Sequence, residues 1–281
     1  TLAGGLAEGT VRFGRACVAV TRTPSGPVAV LEDGDEVGAD VVVGADGVRS
    51  VVCRELWGEP DVRETGWVSW SALTSLPSAL ADGGDGYIVR APGRTASAVP
   101  AGDGLVQWWF DLLRGPGVPF PRSPVAELRS RFGGWADPDV QTVLEHARDE
   151  DITPFPHVRG GVRPGWGKGP VTLVGDAAHA FPPGTGQGAN QALEDAWALT
   201  LALSGERAEA DPQAALRRYE HARHRRVARV SAASGAEVVQ RFPMSRLPRG
   251  VADRMLTGWF ACYVRSVSTV LAAERAGVRL P

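Results

Sequence analysis

An acidic residue at the carboxyl end of an apolar strand, separated by glycines from the start of a helix, can hold a polar and partly anionic ligand. Residues 171–196, VTLVGDAAHAFPPGTGQGANQALEDA, carry that combination. Val171–Val174 read as a strand buried in a parallel sheet. Gly175 and Asp176 end it at the edge where ligands of open α/β sheets bind. Ala189, Ala192, Leu193, Ala196, Leu199, Thr200 and Leu203 recur at helical spacing, so a helix is expected to begin near Gly188. Its unpaired amides face the loop, where Gly184, Gly186 and Gly188 have no side chains to keep a flat or anionic group away. The alternative is a glycine-rich turn with a capping aspartate.

Residues 39–50, ADVVVGADGVRS, repeat the pattern: an apolar strand runs into Gly44, Asp46 and Gly47, and Arg49 and Ser50 open a helix-like turn. This is either a common Asp-Gly turn or a second wall of the same site. His179, in DAAHA, is either an imidazole satisfied by loop backbone or a general base. Trp67, Trp70, Trp108 and Trp109 lie on expected strands and either fill a core or stack on a ligand; Trp108 and Trp109, being adjacent, must face opposite sides. The ionisable residues of that stretch, Arg90, Arg94, Asp103 and Asp111, are expected mostly near turns or strand ends. The pocket there is accordingly expected to be largely apolar and to select by shape.

Three zones position these residues. From Val11 to Asp46, VRFG, CVAV, VAVLEDG and DVVVGADG are short strand-like runs between Gly, Pro and Asp turns. From Trp67 to Leu113 a second strand-rich zone has closely spaced turns, as in an antiparallel sheet. Ser123-Pro124 and Asp137-Pro138 then open two helices. After the glycine-rich loop the chain is almost wholly helical, and the basic run Arg217–Arg229 is expected on a solvated face. The expected segments are 1–65, 66–155, 156–210 and 211–281.

Composition narrows the classes. The chain has 281 residues, 43% of them hydrophobic, enough for a sizeable core. A net charge of −2 supplies no basic field for nucleic acid or anionic membrane, and no apolar run approaches a membrane span. Cys17, Cys53 and Cys262 are far apart and outside any CxxC or Cys/His cluster, so neither a disulfide framework nor a metal site is expected. A reducing, cytoplasmic setting fits best.

Together, VVVGADGVRS and VTLVGDAAHAFPPGTGQGANQALEDA resemble the Asp-Gly and Gly-Asp fingerprints of the single-component FAD-dependent aromatic hydroxylases, the group containing para-hydroxybenzoate and salicylate hydroxylases. The order of zones is similar from about residue 10 to about residue 230. The resemblance implies an α/β fold: an FAD-binding parallel-sheet domain incomplete at its N-terminus, an inserted antiparallel substrate sheet and a helical C-terminal tail. It puts Gly175 and Asp176 at the ribitol of FAD, and the backbone of Gly186, Gln187, Gly188, Ala189 and Asn190 at the pyrimidine edge of the isoalloxazine. A helix start there would stabilise the negative charge of reduced flavin by roughly 0.3–1 kcal/mol. Asp46 and Gly47 would approach FAD from its other side, and the backbone of Cys17 matches the position that meets adenine. Pro182 and Pro183 match the loop along the flavin that shapes where a C4a-hydroperoxide meets substrate, with His179 nearby; Trp70, Trp108 and Trp109 are the substrate-stacking candidates.

The implied activity is NADPH- or NADH-dependent incorporation of one atom of O2 into a hydrophobic aromatic or polycyclic small molecule. The alternatives are a related flavin-dependent reductase or halogenase, and a non-catalytic binding remnant. The chain departs from the family in having Cys53, followed by Arg54, where an arginine ends the Asp-Gly fingerprint, and Trp70-Ser71 where Trp-Arg is frequent. The family's opening strand and GxGxxG are absent as well. Residues 1–281 are therefore expected to belong to a longer polypeptide, with about a hundred residues preceding them on the usual domain scale.

Overall fold

The computed structural model describes residues 2–83, 86–234 and 249–275. They form two units, Thr1–Val62 with Gly160–Pro281, and Arg63–Arg159. In the first, β1 (Cys17–Thr23), β2 (Gly26–Leu31) and β3 (Glu36–Gly38) make an antiparallel meander. Gly26 is required at its first turn: its φ is +132°, and a Cβ there would lie 2.7 Å from the carbonyl oxygen of Ala39. β4 (Val42–Gly44) follows, then helix α1 (Val51–Trp57). The VRFG run at 11–14 is not a strand; it finds no partner, and Phe13 is exposed.

The second unit is built on a five-stranded antiparallel sheet. Its strands are β5 (Val62–Ser75), β6 (Tyr87–Ala91), β7 (Arg94–Gly102), β8 (Leu105–Leu113) and β9 (Thr153–Gly160), in the order β6-β7-β8-β5-β9. The short α2 (Ser78–Ala81) lies between β5 and β6. Helices α3 (Pro124–Phe132) and α4 (Pro138–His146) begin where the Ser-Pro and Asp-Pro pairs indicate. Ser123 Oγ accepts from the amide of Ala126, and Asp137 Oδ1 from those of Asp139 and Val140. Their apolar faces bury Leu128, Phe132, Val140 and Val143 in one core with Trp70, Trp108 and Phe110 of the sheet.

The chain then returns to the first unit through β10 (Val171–Leu173), which pairs in parallel with β4, Val42 opposite Val171 and Gly44 opposite Leu173. α5 (Asp176–His179), α6 (Gly188–Leu203), α7 (Glu206–Ala210), α8 (Pro212–Ala233), α9 (Arg249–Val267) and α10 (Thr269–Arg275) complete it. The stretch 235–242, read as helix from the sequence, lies outside the described residues. Val52, Leu56, Trp166, Val171, Leu173, Leu216 and Tyr219 form this unit's core. Among the described residues no helix is long and apolar enough to cross a membrane, and no cluster of His, Cys, Asp or Glu is gathered for a metal.

Candidate functional site

β4 and β10 end side by side, and the amide of Val174 donates to the carbonyl of Gly44 at 2.9 Å. Gly44 is the closest point of contact: a Cβ would stand 2.7 Å from Leu173 Cδ2 and from Val52 Cβ. Beyond it Asp46 accepts from Ser50 Oγ at 2.5 Å and from the amides of Val51 and Val52 at 2.7 and 3.2 Å. Its carboxylate thus satisfies orphan donors at the start of α1. Ser50 Oγ accepts in turn from the amide of Cys53. Gly47 has φ +76° with open space beside it. Cys17 opens β1 opposite Leu31, its thiol donating to Ala19 O at 3.3 Å; burial raises that thiol above its ordinary range.

At the end of β10, Gly175 adopts φ +56° and turns the chain into α5. A side chain here would be strained, and its Cβ would crowd Ala192 at 3.2 Å. Asp176 follows, exposed and the first residue of α5. Pro182 is buried and Pro183 exposed; the turn Pro183–Thr185 closes on Gly186, whose φ is +63° and whose amide donates to Pro183 O at 2.8 Å. Gln187 is the N-cap of α6, and among the described residues no side-chain hydrogen bond caps that helix. Gly188, Ala189 and Asn190 form its first turn, and a Cβ at Gly186 or Gly188 would meet nothing within 4 Å. The start of α6 therefore offers uncapped amides to open space, an arrangement that attracts partial negative charge.

His179 is 1% exposed, and its Nε2 lies 2.6 Å from Asp195 Oδ2. The same oxygen accepts from the amide of Gly175 at 2.9 Å, while Oδ1 accepts from Arg223 Nε at 2.7 Å. Burial alone would raise the Asp195 carboxyl, but His179 and Arg223 more than reverse this and hold it below the usual range. Arg223 is fully buried, and its remaining donors reach Glu194 Oε2, Thr269 Oγ1, and the backbone and side-chain oxygens of Gln191. The expectation of a solvated face for the Arg217–Arg229 run holds at Arg218, Arg225 and Arg229, which are exposed, and is corrected at Arg223, which faces inward among Leu216, Tyr219, Val227 and Val230, because acceptors on α6 and α10 await it. The network ties α6, α8 and α10 to the turn carrying Asp176. Of the two readings of His179, this geometry favours the structural one over a general base, with the partner a buried carboxylate on α6 rather than loop backbone.

A cavity of about 270 Å³ lies in this unit, with Cys53, Asp61, Arg163, Asp176 and His179 among its walls. Burial raises the Cys53 thiol, and the nearby Arg163 guanidinium opposes the shift. Sequence reading missed Asp61, Gly160, Gly161 and Arg163, which also line it. The glycine-rich GGVRPGWGKG at 160–169 was the available signal.

On the sheet of the second unit, alternation settles the tryptophans. Trp70 and Trp108 point to the helix-covered face and are 0% exposed, and Trp108 Nε1 donates to Thr74 Oγ1 at 3.0 Å. Of the two readings left open for them, packing and substrate stacking, this burial favours packing: they fill the core. Trp109 is half-buried on the opposite face, where it pairs with Ser71 and Ser97. Asp111 also departs from expectation, since it is paired within the sheet, with Ser69 on one side and Thr95 on the other.

Comparison with known proteins gives a family and several relatives. The family described as FAD binding domain matches residues 5–234. A FAD-dependent urate hydroxylase of Mycolicibacterium vanbaalenii is 34% identical over 230 residues, covering 78% of this chain and 55% of the relative. Aurachin C monooxygenase/isomerase of Stigmatella aurantiaca is 36% identical over 204 residues, covering 71% of this chain and 51% of the relative. Among solved structures, Klebsiella pneumoniae HpxO complexed with FAD and uric acid aligns with a TM-score of 0.75 at 26% identity, over 95% of this chain and 66% of that one. The chain thus spans about half the length of these curated relatives.

Proposed function

We propose, from the premise that this chain belongs to the FAD binding domain family, that the full-length protein is an FAD-dependent monooxygenase of an aromatic or polycyclic small molecule, with NADH or NADPH as electron donor. One observation carries the reading. The joined ends of β4 and β10, the exposed carboxylate of Asp176 and the uncapped start of α6 lie on one unit. That set fits FAD chemically. Asp176 would accept from ribitol hydroxyls, and the amides of Gly188, Ala189 and Asn190 would donate to the carbonyl edge of the ring system. Gly186 and Gly188 would let that edge come close, Pro182 and Pro183 would border it, and Arg163 would offer its charge to a phosphate.

When bound and reduced, FAD would supply the activation of O2 and the transfer of one oxygen atom. The chain's own part is holding and excluding. Asp46 and Ser50 fix the start of α1 beside the strand ends, and the Asp195–Arg223 network ties the Gly175 turn to α6 and α8. The relatives' names, a urate hydroxylase and an aurachin C monooxygenase, support oxygen transfer over the reductase and halogenase alternatives.

The test uses full-length protein loaded with FAD, NADH or NADPH, and ¹⁸O-labelled O2, against a panel of phenols and N-heterocyclic aromatics that includes uric acid. The expected result is one ¹⁸O atom in a hydroxylated product, with matching consumption of reductant. A protein that retains FAD and oxidises reductant while no label enters any product overturns the oxygen-transfer reading. One that takes up no flavin overturns the reading altogether.

A further inference from the structure

We infer that Asp111 selects the substrate ring by accepting a hydrogen bond from a donor it carries, a phenolic hydroxyl, an aryl amine or a ring N–H. The inference rests on the monooxygenase reading and adds a residue that discriminates among its substrates. Along β8, Val106, Trp108, Phe110 and Leu112 face the helices, which leaves Trp109 and Asp111 on the other side of the sheet. Across that side runs a polar row, Arg90–Thr95–Asp111–Ser69, one residue from each of four neighbouring strands. The Ser69 hydroxyl donates to Asp111 Oδ1 at 2.5 Å, and His157 Nε2 lies 2.7 Å from Ser69 Oγ. Since the serine proton is committed to the carboxylate, the imidazole must be the donor to Ser69.

This arrangement is half complete. Asp111 has one oxygen held and the other without a hydrogen bond from any described residue, while its side chain keeps 19% exposure and so remains reachable. Burial raises its carboxyl, with the Ser69 hydroxyl and the Arg90 charge opposing. His157 supplies no counter-charge: it is buried, its Nδ1 has no partner among the described residues, and burial lowers its pKa to about 4. A partly desolvated carboxylate with one donor is stabilised by any ligand that brings a second. The surroundings specify the rest of that ligand. Trp109 precedes Asp111 by two residues on the same face, and Leu73, Ile88 and Leu113 stand exposed around the row. One fixed acceptor beside an indole and within an apolar rim reads a flat ring with a donor at its edge. This adds one polar contact to the expectation of a largely apolar pocket that selects by shape.

The test measures binding of 2-naphthol and of 2-methoxynaphthalene, which differ in the donor, to FAD-loaded full-length protein by titration calorimetry. Wild type is expected to bind 2-naphthol at least about tenfold more tightly than the ether, as a hydrogen bond to a charged group implies. Asp111→Leu is expected to erase that preference while binding the ether within about twofold of wild type. Asp111→Asn, nearly isosteric, is expected to reduce the preference, and it carries the test if the leucine variant fails to fold. Equal affinities in wild type, binding of neither probe, or a preference undiminished in both variants overturns the inference. Flavin content, read at 450 nm, separates the two levels: a yellow protein indifferent to the donor fails this inference only, and a protein without flavin fails the monooxygenase reading and this one with it.

Discussion

At the residue scale, the carboxylates of this chain divide by what already satisfies them. Asp176 is exposed, whereas Asp195 is enclosed by Gly175, His179 and Arg223. Asp176→Ala should therefore leave the thermal midpoint nearly unchanged, as surface substitutions do. It should weaken FAD binding by about tenfold to a hundredfold, the worth of a charged hydrogen bond. Flavin titration and a melting curve on the same preparation check both halves. Asp195→Asn should do the reverse and cost about 1–3 kcal/mol of stability, because it removes one of the two carboxylates paired with the buried Arg223 and leaves Glu194 as its counter-charge; urea unfolding reads it. His157 gives a pH signature. Its folded pKa, about 4, lies below the unfolded value near 6.5, so the unfolded chain binds the proton first as pH falls. Stability should drop between about pH 6.5 and pH 4, by up to roughly 3 kcal/mol, and His157→Gln should flatten that slope.

At the element scale, the turns and caps were the most legible features and the partners of edges the least. Ser123-Pro124, Asp137-Pro138 and the helical spacing from Ala189 onward state their elements locally, because a cap or an apolar stripe needs no knowledge of the rest of the fold. β9 states nothing of the kind. TPFPHVRG carries Pro154 and Pro156, which argue against a strand, and it is accommodated only because β9 is the edge of its sheet. Its His157 nevertheless completes the Ser69–Asp111 row, so that part of the candidate site was hidden with the strand. Arg223 was legible in retrospect: at helical spacing with Leu216, Tyr219, Val227 and Val230 it falls in the apolar stripe of α8, and only its acceptors on α6 and α10 were out of view. The loop glycines Gly184, Gly186 and Gly188 were read as access for a ligand; Gly44, at the end of β4, is there for packing. Gly44→Ala should push against Leu173 and Val52 and destabilise the β4–β10 pair by about 1–3 kcal/mol. Gly188→Ala meets open space and should leave stability intact, so any loss of flavin in that variant reports a clash with the ligand itself. Parallel melting and flavin-content measurements distinguish the two glycines.

At the scale of the whole molecule, the two larger cores among the described residues share no residue, one under the β4–β10 pair and one between the five-stranded sheet and helices α3 and α4. The residues proposed for the cofactor, Cys17, Asp46, Gly47, Gly175, Asp176 and Gly186–Asn190, all belong to the first unit, although β4 and β10 are separated in sequence by the entire second unit. That separation explains why two short motifs, each ambiguous alone, gained meaning only together: the parallel register that joins them is a long-range fact with no local signal. It also fixes where a bound flavin must be felt. A ligand that binds only the native state stabilises it by RT ln(1 + [L]/Kd), about 2.7 kcal/mol at a hundredfold excess over Kd. In the FAD-titrated full-length protein, amide hydrogen exchange should slow by up to about a hundredfold at Val42–Val52 and Gly175–Gln191. Strands β7 and β8 should change far less. In Asp176→Ala at the same FAD concentration the slowing should shrink at both segments at once, since one ligand bridges them. Slowing confined to the β7–β8 hairpin, or slowing at Gly175–Gln191 with none at Val42–Val52, would place the flavin elsewhere and separate the two motifs again.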